Sequence, residues 1–121
     1  MKRILIVATL VAALGGTAVA LAATTLVNPT SPTKLAYAKK ALSATRGSVT
    51  LRSKNTSPVL QHNIALRKGT KATGKLLAKG KIVGKGGVSK ITLKVAKGKY
   101  RFLCTVPGHE AGGMWGILTV K

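Results

Sequence analysis

The sequence predicts an all-β domain, a two-sheet antiparallel Greek-key β-sandwich, preceded by an apolar N-terminal segment. Short runs of alternating apolar and polar residues indicate the strands, because successive side chains of a strand point to opposite faces. Turn-forming residues separate those runs, as in RG at 46–47 and AKG at 96–98. Short strands at this spacing are typical of a sandwich of two antiparallel sheets.

The N-terminal segment, residues 1–27, is typical of an export signal or a signal-anchor. Two basic residues precede an uncharged, mostly apolar run from residue 4 to about residue 27. Small residues in its AVALAA stretch fit cleavage after Ala20 or Ala22. The run is also about as long as the ~20 residues that span a bilayer, so tethering by residues 4–27 stays open. Either outcome predicts that the remaining chain works outside the cytoplasm.

A short linker with two prolines, residues 28–33, precedes one predicted domain at 34–121, which is long enough for a single core. Alternation predicts strands in five runs: 48–53, 59–66, 89–95, 99–104 and 114–120. Weaker candidates lie near residue 35 and at 81–83. The stretch 67–87 is dominated by lysine and glycine, and its pattern does not indicate a role.

The composition excludes most catalytic and metal-binding chemistry. The chain has 21 Lys and Arg residues against one acidic residue, Glu110, and a formal net charge of +20. Carboxylate-pair hydrolysis, a Ser-His-Asp triad and a carboxylate-rich calcium or magnesium site are excluded by the lack of acidic groups. The single cysteine, Cys104, excludes an internal disulfide and a binuclear copper centre. At most one small metal site remains.

That site is indicated by the stretch CTVPGHEAGGM, which contains Cys104, His109 and Met114. His62 is the only other histidine. Two imidazoles, one thiolate and one weak axial thioether are the donors of a blue-copper site. The inward face of the predicted strands carries His62, Cys104 and Met114, so these donors converge on the core. Zinc also accepts a thiolate and two imidazoles, but the thioether favours copper.

These residues carry a resemblance to the cupredoxin family, the small blue-copper proteins of the plastocyanin and azurin type. GKYRFLC is similar to the family's G-x-Y-x-F-x-C strand, and QHNIAL is similar to the segment that carries its first ligand. CTVPGHEAGGMWG resembles the family's ligand loop. The resemblance covers about residues 49–121. It implies one type 1 copper held by four ligands: His62, Cys104, His109 and Met114.

The resemblance also implies roles for residues around those ligands. Asn63 is expected to tie its own segment to the ligand loop near Thr105, while its backbone N–H donates to the thiolate. Pro107 is expected to stiffen the loop and to remove one possible donor. Hydrogen bonds around the cysteine sulfur tune the reduction potential and fix ligand geometry. Trp115 points outward by strand parity, which leaves open a docking surface beside the copper or burial under neighbouring chain.

The implied function is that of an exported type 1 copper protein that shuttles single electrons between Cu(I) and Cu(II) and is not an enzyme. Two alternatives stay open: a copper carrier or buffer with the same ligands, and a wall-associated module that binds polyanions. The basic charge predicts an acidic redox partner and attraction to anionic membrane or wall surfaces. We expect the protein to be a monomer. We expect no nucleic-acid partner, because the chain is predicted to be exported and only 3% of its residues are aromatic.

Overall fold

Two packed sheets make up the part of the chain that the computed structural model describes, residues 22–121. The strands in chain order are β1 (Ala22–Val27), β2 (Ala41–Ala44), β3 (Gly47–Lys54), β4 (Ala65–Lys68), β5 (Leu76–Lys79), β6 (Val88–Val95), β7 (Gly98–Leu103) and β8 (Trp115–Val120). One sheet has three strands in the order β1-β3-β6, and the other has five in the order β2-β8-β7-β4-β5. The predicted all-β, two-sheet class is therefore confirmed.

The prediction of a wholly antiparallel sandwich is wrong at two pairings. β1 runs parallel to β3, and β2 runs parallel to β8, whereas β3–β6, β4–β5, β4–β7 and β7–β8 are antiparallel. The cause is connectivity: the chain passes to the other sheet after β1 and again after β2. A strand that returns to a sheet after such a crossover can run parallel to its neighbour, which a tight hairpin does not allow.

The core lies between the sheets and follows the alternation visible in the sequence. β3 buries Val49 and Leu51, and β8 buries Leu118 and Val120, each pair two residues apart. At the centre, the ring of Phe102 is fully buried and meets the ring of Tyr37 edge to face, with centroids 5.4 Å apart. Edge-to-face contact between two buried aromatic rings adds about 0.5–1.5 kcal/mol beyond the area that the rings bury.

The boundary between the N-terminal segment and the domain lies earlier than predicted. Residues 22–27, which the sequence prediction placed in segment 1–27, form β1 and pair with six consecutive residues of β3. The predicted linker, residues 28–33, is also part of the fold, because Thr30 is buried and forms an isolated bridge with Tyr37. The composition of β1 (AATTLV) continues that of the apolar run before it, so the sequence offers no visible break. The rest of the predicted signal segment, residues 1–21, lies outside the described residues.

Several predicted strand boundaries also differ. The predicted strand 59–66 reduces to β4 and an isolated bridge between His62 and Val83, and Leu60 is exposed where alternation placed it inside. The candidates near residue 35 and at 81–83 form only isolated bridges. Two short strands, β2 and β5, lie at the edges of the five-stranded sheet and were not predicted. Edge strands of four residues have too few buried positions to produce a clear alternation.

Gly116 provides a direct test of this packing. It lies opposite Phe102 on β7, and a Cβ at this position would overlap the end of the Phe102 ring and approach the Lys40 carbonyl oxygen to 2.5 Å. We expect Gly116→Ala to lower the free energy of unfolding by about 1–3 kcal/mol, because overpacking forces neighbouring atoms to move. At Gly84 a Cβ meets nothing within 4 Å, so Gly84→Ala should change stability by less than about 0.5 kcal/mol. Urea denaturation of both variants checks this, and equal losses would contradict it.

Candidate metal centre

Two distant segments of the chain supply the candidate ligands. His62 precedes β4, and its backbone N–H and carbonyl pair with the carbonyl and N–H of Val83 at 3.1 and 2.9 Å. The other three ligands lie on the loop that joins β7 to β8. This loop begins with Cys104 directly after β7 and ends with Met114 directly before β8. The Lys/Gly-rich stretch therefore has a structural role, because its residue Val83 supports the first ligand.

The ligand loop is closed on itself by backbone hydrogen bonds. The Cys104 N–H donates to the Met114 carbonyl at 3.1 Å, and the Met114 N–H donates to the His109 carbonyl at 3.0 Å. Gly108 and Gly113 have φ of 84° and 112°, a region that residues with a Cβ rarely adopt. These turns bring the two ends of the loop together and turn His109 back toward Cys104.

Three donor atoms meet where the segments converge. The Nδ1 atoms of His62 and His109 are 3.2 Å apart, and the Sγ atom of Cys104 lies 3.9 Å and 3.6 Å from them, respectively. A point equidistant from the three atoms lies about 2.1 Å from each, close to the ~2.0–2.3 Å bonds that nitrogen and sulfur make to a first-row metal. Met114, at the end of the same loop, is fully buried. The residues present therefore fit a metal with a trigonal set of donors and a thioether.

The surroundings of both imidazoles favour the neutral form, which is the form that coordinates a metal. Burial lowers the pKa of His62, and the nearby His109 lowers it further, while burial alone lowers the pKa of His109. Burial raises the pKa of the Cys104 thiol, and the backbone N–H groups of Asn63 and Val106 offset part of that rise. A bound cation favours the thiolate, so metal uptake releases the Cys104 proton.

Asn63 joins the two segments directly. Its side-chain Oδ1 accepts the backbone N–H of Thr105 at 2.7 Å, and its Nδ2 donates to Thr105 Oγ1 at 2.8 Å. Nδ2 also donates to the Gly80 carbonyl at 3.0 Å, and the Asn63 carbonyl accepts the buried hydroxyl of Tyr37 at 2.5 Å. The amide thus spans the gap between the first ligand and the residue that follows the cysteine.

Two backbone N–H groups and one proline lie close to the Cys104 thiol in the sequence or the fold, and the expected roles of Asn63 and Pro107 remain predictions. The backbone N–H groups of Asn63 and Val106 lie against Cys104. Pro107, which follows Val106, has no N–H and is exposed. The number of donors that reach the sulfur on this side is therefore limited.

Exposure differs among the ligands. His62, Cys104 and Met114 are almost completely buried, whereas His109 is half-buried and follows two exposed residues, Pro107 and Gly108. Among the described residues, the buried Nε2 of His62 has no hydrogen-bond partner. The ring of His62 lies 5.0 Å from the ring of His109, measured between centroids.

Trp115 is not an open apolar surface. The guanidinium carbon of Arg101 lies 3.8 Å from the centroid of the indole, the Lys40 ammonium lies 5.0 Å from it, and the residue is half-buried. Two neighbouring cations therefore cover part of the indole. A part for Trp115 in docking remains a prediction.

Sequence reasoning missed three residues near the site. Tyr37 lies in a segment interpreted as a weak strand, and its contact with Asn63 depends on a long-range fold. Arg67 and Arg101 both bind Glu110, the residue after His109. The composition could have indicated the two arginines, because the only carboxylate among 21 cationic side chains is expected to pair with some of them.

Comparison with known proteins identifies the family. The sequence model of copper binding proteins of the plastocyanin/azurin family matches residues 24–121. The chain belongs to this family. Copper is its cofactor, and the type 1 copper site is formed by His62, Cys104, His109 and Met114.

Solved structures of two auracyanins and of rusticyanin share the fold. The chain is 35% identical to dithionite-reduced auracyanin from the photosynthetic bacterium Roseiflexus castenholzii, covering 83% of this chain and 98% of that one, with a TM-score of 0.72. For auracyanin A, a blue copper protein from Chloroflexus aurantiacus, the identity is 28%, the coverage 80% and 98%, and the TM-score 0.70. Rusticyanin from Thiobacillus ferrooxidans shares the fold at 19% identity, with coverage of 83% and 79% and a TM-score of 0.66. No curated protein sequence matches.

In this cupredoxin, residues 22–121 include no helix long and apolar enough to cross a bilayer.

The Asn63 bridge generates a stability prediction. Asn63→Ala removes both bonds to Thr105 and the bond to Gly80, so we expect the metal-free protein to lose about 2–4 kcal/mol of unfolding free energy. Thr105→Val removes only the Oγ1 acceptor and should cost about 1 kcal/mol. Urea denaturation monitored by circular dichroism measures both values. A loss for Asn63→Ala no larger than that for Thr105→Val would show that the bridge does not hold the two segments.

Proposed function

We propose that this chain is an exported blue-copper protein that carries single electrons between redox partners and is not itself an enzyme. The observation that carries the proposal is the convergence of two imidazoles and one thiol, whose donor atoms all lie within 4.8 Å of one another. A trigonal His₂Cys set with a weak thioether is the ligand set of electron-transfer copper sites. Membership of the copper-binding family and the blue-copper neighbours support the same function.

Copper bound at this site supplies one-electron chemistry by alternating between Cu(I) and Cu(II). The protein's part is to hold the donors in place, so that little rearrangement accompanies transfer. Cys104 and His62 are fixed by the Asn63 bridge and by their burial. Met114 is fixed between the loop and β8, where its N–H and carbonyl both make backbone hydrogen bonds.

His109 is the proposed point of electron entry and exit. It is the most exposed of the four ligands, and Pro107 and Gly108 beside it are also exposed. A partner that packs against this end of the sandwich would approach the metal most closely through the His109 ring. The other three ligands are covered by protein.

Export is supported by the basic and apolar character of residues 1–21. Cleavage after Ala20 would leave β1 whole, whereas cleavage after Ala22 would remove its first residue. We therefore favour cleavage after Ala20 over tethering by residues 4–27, since that tether would include the strand itself. The intact mass of the protein from its native compartment distinguishes the outcomes, and an unprocessed chain would contradict cleavage.

The copper site is tested by adding Cu(II) to the metal-free protein. We expect one equivalent to bind with an intense blue thiolate-to-copper band and a narrow copper hyperfine splitting in the electron paramagnetic resonance spectrum. Cys104→Ser should abolish the blue band, because the thiolate is its source.

Met114→Leu is the matched control, because it removes only the weak axial ligand. It should keep the blue band and change the reduction potential. A colourless wild-type complex, or a complex that releases copper on every reduction, would contradict electron transfer and favour the copper carrier.

The partner is proposed to be acidic, because the domain is strongly basic. Of the 21 Lys and Arg residues, 19 lie after residue 33, and Glu110 is the only acid. Near the copper end, exposed Lys79 lies in register with Ala65 of β4, which pairs with Leu103 next to Cys104. A surface with this field raises association rates with anionic partners, and salt reduces the effect.

Charged redox reagents test that field at the copper end. Replacing Lys79 and Lys81 with Gln should slow oxidation by hexacyanoferrate(III), an anion, by several-fold in 0.1 M salt. Added salt should slow this reaction in the wild type and accelerate the reaction with a cationic cobalt(III) phenanthroline complex.

The matched control replaces Lys97 and Lys99, at the other end of β7, about 20 Å along the strand from Cys104. This distance exceeds the Debye length of ~10 Å at 0.1 M salt, so the control should react like the wild type. Equal slowing in both double variants would show that only the net charge matters and not a docking position.

A further inference from the structure

Glu110 is the only acidic side chain of the protein and directly follows the ligand His109. Its carboxylate is bound by two arginines at once. Oε1 accepts from Nη2 of Arg67 at 2.9 Å, while Oε2 accepts from Nε of Arg101 at 2.7 Å and from Nε of Arg67 at 3.3 Å. The ligand loop is therefore attached to two neighbouring strands, β4 and β7, at the residue next to a ligand.

Both arginines are themselves held by the loop that joins β4 to β5. Nη1 of Arg67 donates to the Gly74 carbonyl at 3.2 Å, and Nη1 of Arg101 donates to the Thr70 carbonyl at 3.2 Å. Each guanidinium thus bridges a carboxylate and a backbone carbonyl. The planar fork of arginine suits such two-point contacts, and the partners leave it little freedom to move.

The same cluster reaches the far end of the ligand loop. The Arg101 guanidinium stacks on the indole of Trp115, which follows the ligand Met114. The carboxylate of Glu110, the residue after His109, is therefore connected through Arg101 to Trp115, the residue after Met114.

The side chains of this cluster are largely shielded from water, so the interactions between their charges are stronger than at an exposed surface. The side chains of Glu110, Arg101 and Arg67 are 16%, 10% and 21% exposed. Burial acts to raise the pKa of Glu110, but the hydrogen bonds and charges of Arg67 and Arg101 outweigh it and hold the pKa below its usual value. Without the carboxylate, two guanidinium groups would face each other in a half-buried space, and like charges at that distance repel.

We propose that Glu110 is a positioning residue for the copper site: it fixes the ligand loop to β4 and β7 so that His109 Nδ1 keeps its place beside Cys104 Sγ. This inference rests on the proposed electron-transfer function, because a fixed imidazole lowers the rearrangement that accompanies a change of oxidation state. A purely structural ion pair would support the fold and leave the coordination geometry unchanged. Only the positioning role predicts that a change at Glu110 alters the copper spectrum.

The test is Glu110→Gln, which keeps the shape of the side chain and removes its charge. The Cu(II) form of the full-length variant is compared with the wild type by visible absorption, electron paramagnetic resonance and the rate of copper loss to EDTA. We expect a wider copper hyperfine splitting, a shifted thiolate band and copper loss at least tenfold faster, with an unchanged circular dichroism spectrum. Ala96→Lys is the control, because it raises the net charge by the same amount at an exposed turn away from the site. It should match the wild type.

A Glu110→Gln protein with a lower melting temperature but a wild-type spectrum and wild-type copper loss would overturn the proposal and leave a structural ion pair. If this variant does not fold, Arg67→Gln decides, because it keeps the contact between Glu110 and Arg101. We expect Arg67→Gln to shift the spectrum in the same direction by a smaller amount, and an unshifted spectrum would overturn the proposal. A wild-type protein without a blue band would instead refute the proposed function.

Discussion

The hydrogen-bonded bridge between Asn63 and Thr105 is the constraint on which the metal centre depends. The two residues are 42 positions apart, and each is next to a ligand in the sequence. The pairing of β4 with β7 and the ion pair between Arg67 and Glu110 also join these two segments. Because the bridge uses neutral protein groups, it can form before any metal is present. The chain folds around its own apolar core. The bridge and the closed ligand loop then hold the donor atoms close enough together to bind a metal.

The charge of the protein acts against this arrangement. With 21 cations and one carboxylate, the folded chain carries a net charge of +20, and self-repulsion of such charge destabilises a compact state. The one side-chain carboxylate that can neutralise these charges locally lies within the ligand loop, directly after His109. The position of Glu110 therefore relates to the neighbouring copper ligands and not to neutralisation of the lysines. The remaining positive field is available for an anionic partner.

Sequence reasoning could reach the site because the chain has few donors and three of the four lie together in residues 104–114. The alternation that defines β3, β6, β7 and β8 is also local, so those strands were predictable. The start of the domain was not, because β1 has the same composition as the apolar run before it. The parallel pairs and the edge strands β2 and β5 depend on which sheet each strand joins, which pattern alone does not specify. The partners of Glu110 lie on two other strands, so the carboxylate was visible in the sequence but its role was not.

We infer that the protein, and not the metal, sets the donor geometry. Crystal structures of the metal-free, Cu(I) and Cu(II) forms would test this inference. We expect the two Nδ1 atoms and the Cys104 Sγ atom to shift by less than about 0.5 Å among the three forms, the tolerance expected of a preorganised site. The Asn63 bridge should be intact in all of them. A metal-free form in which His109 swings out or the ligand loop opens would contradict the claim and show that copper assembles its own site.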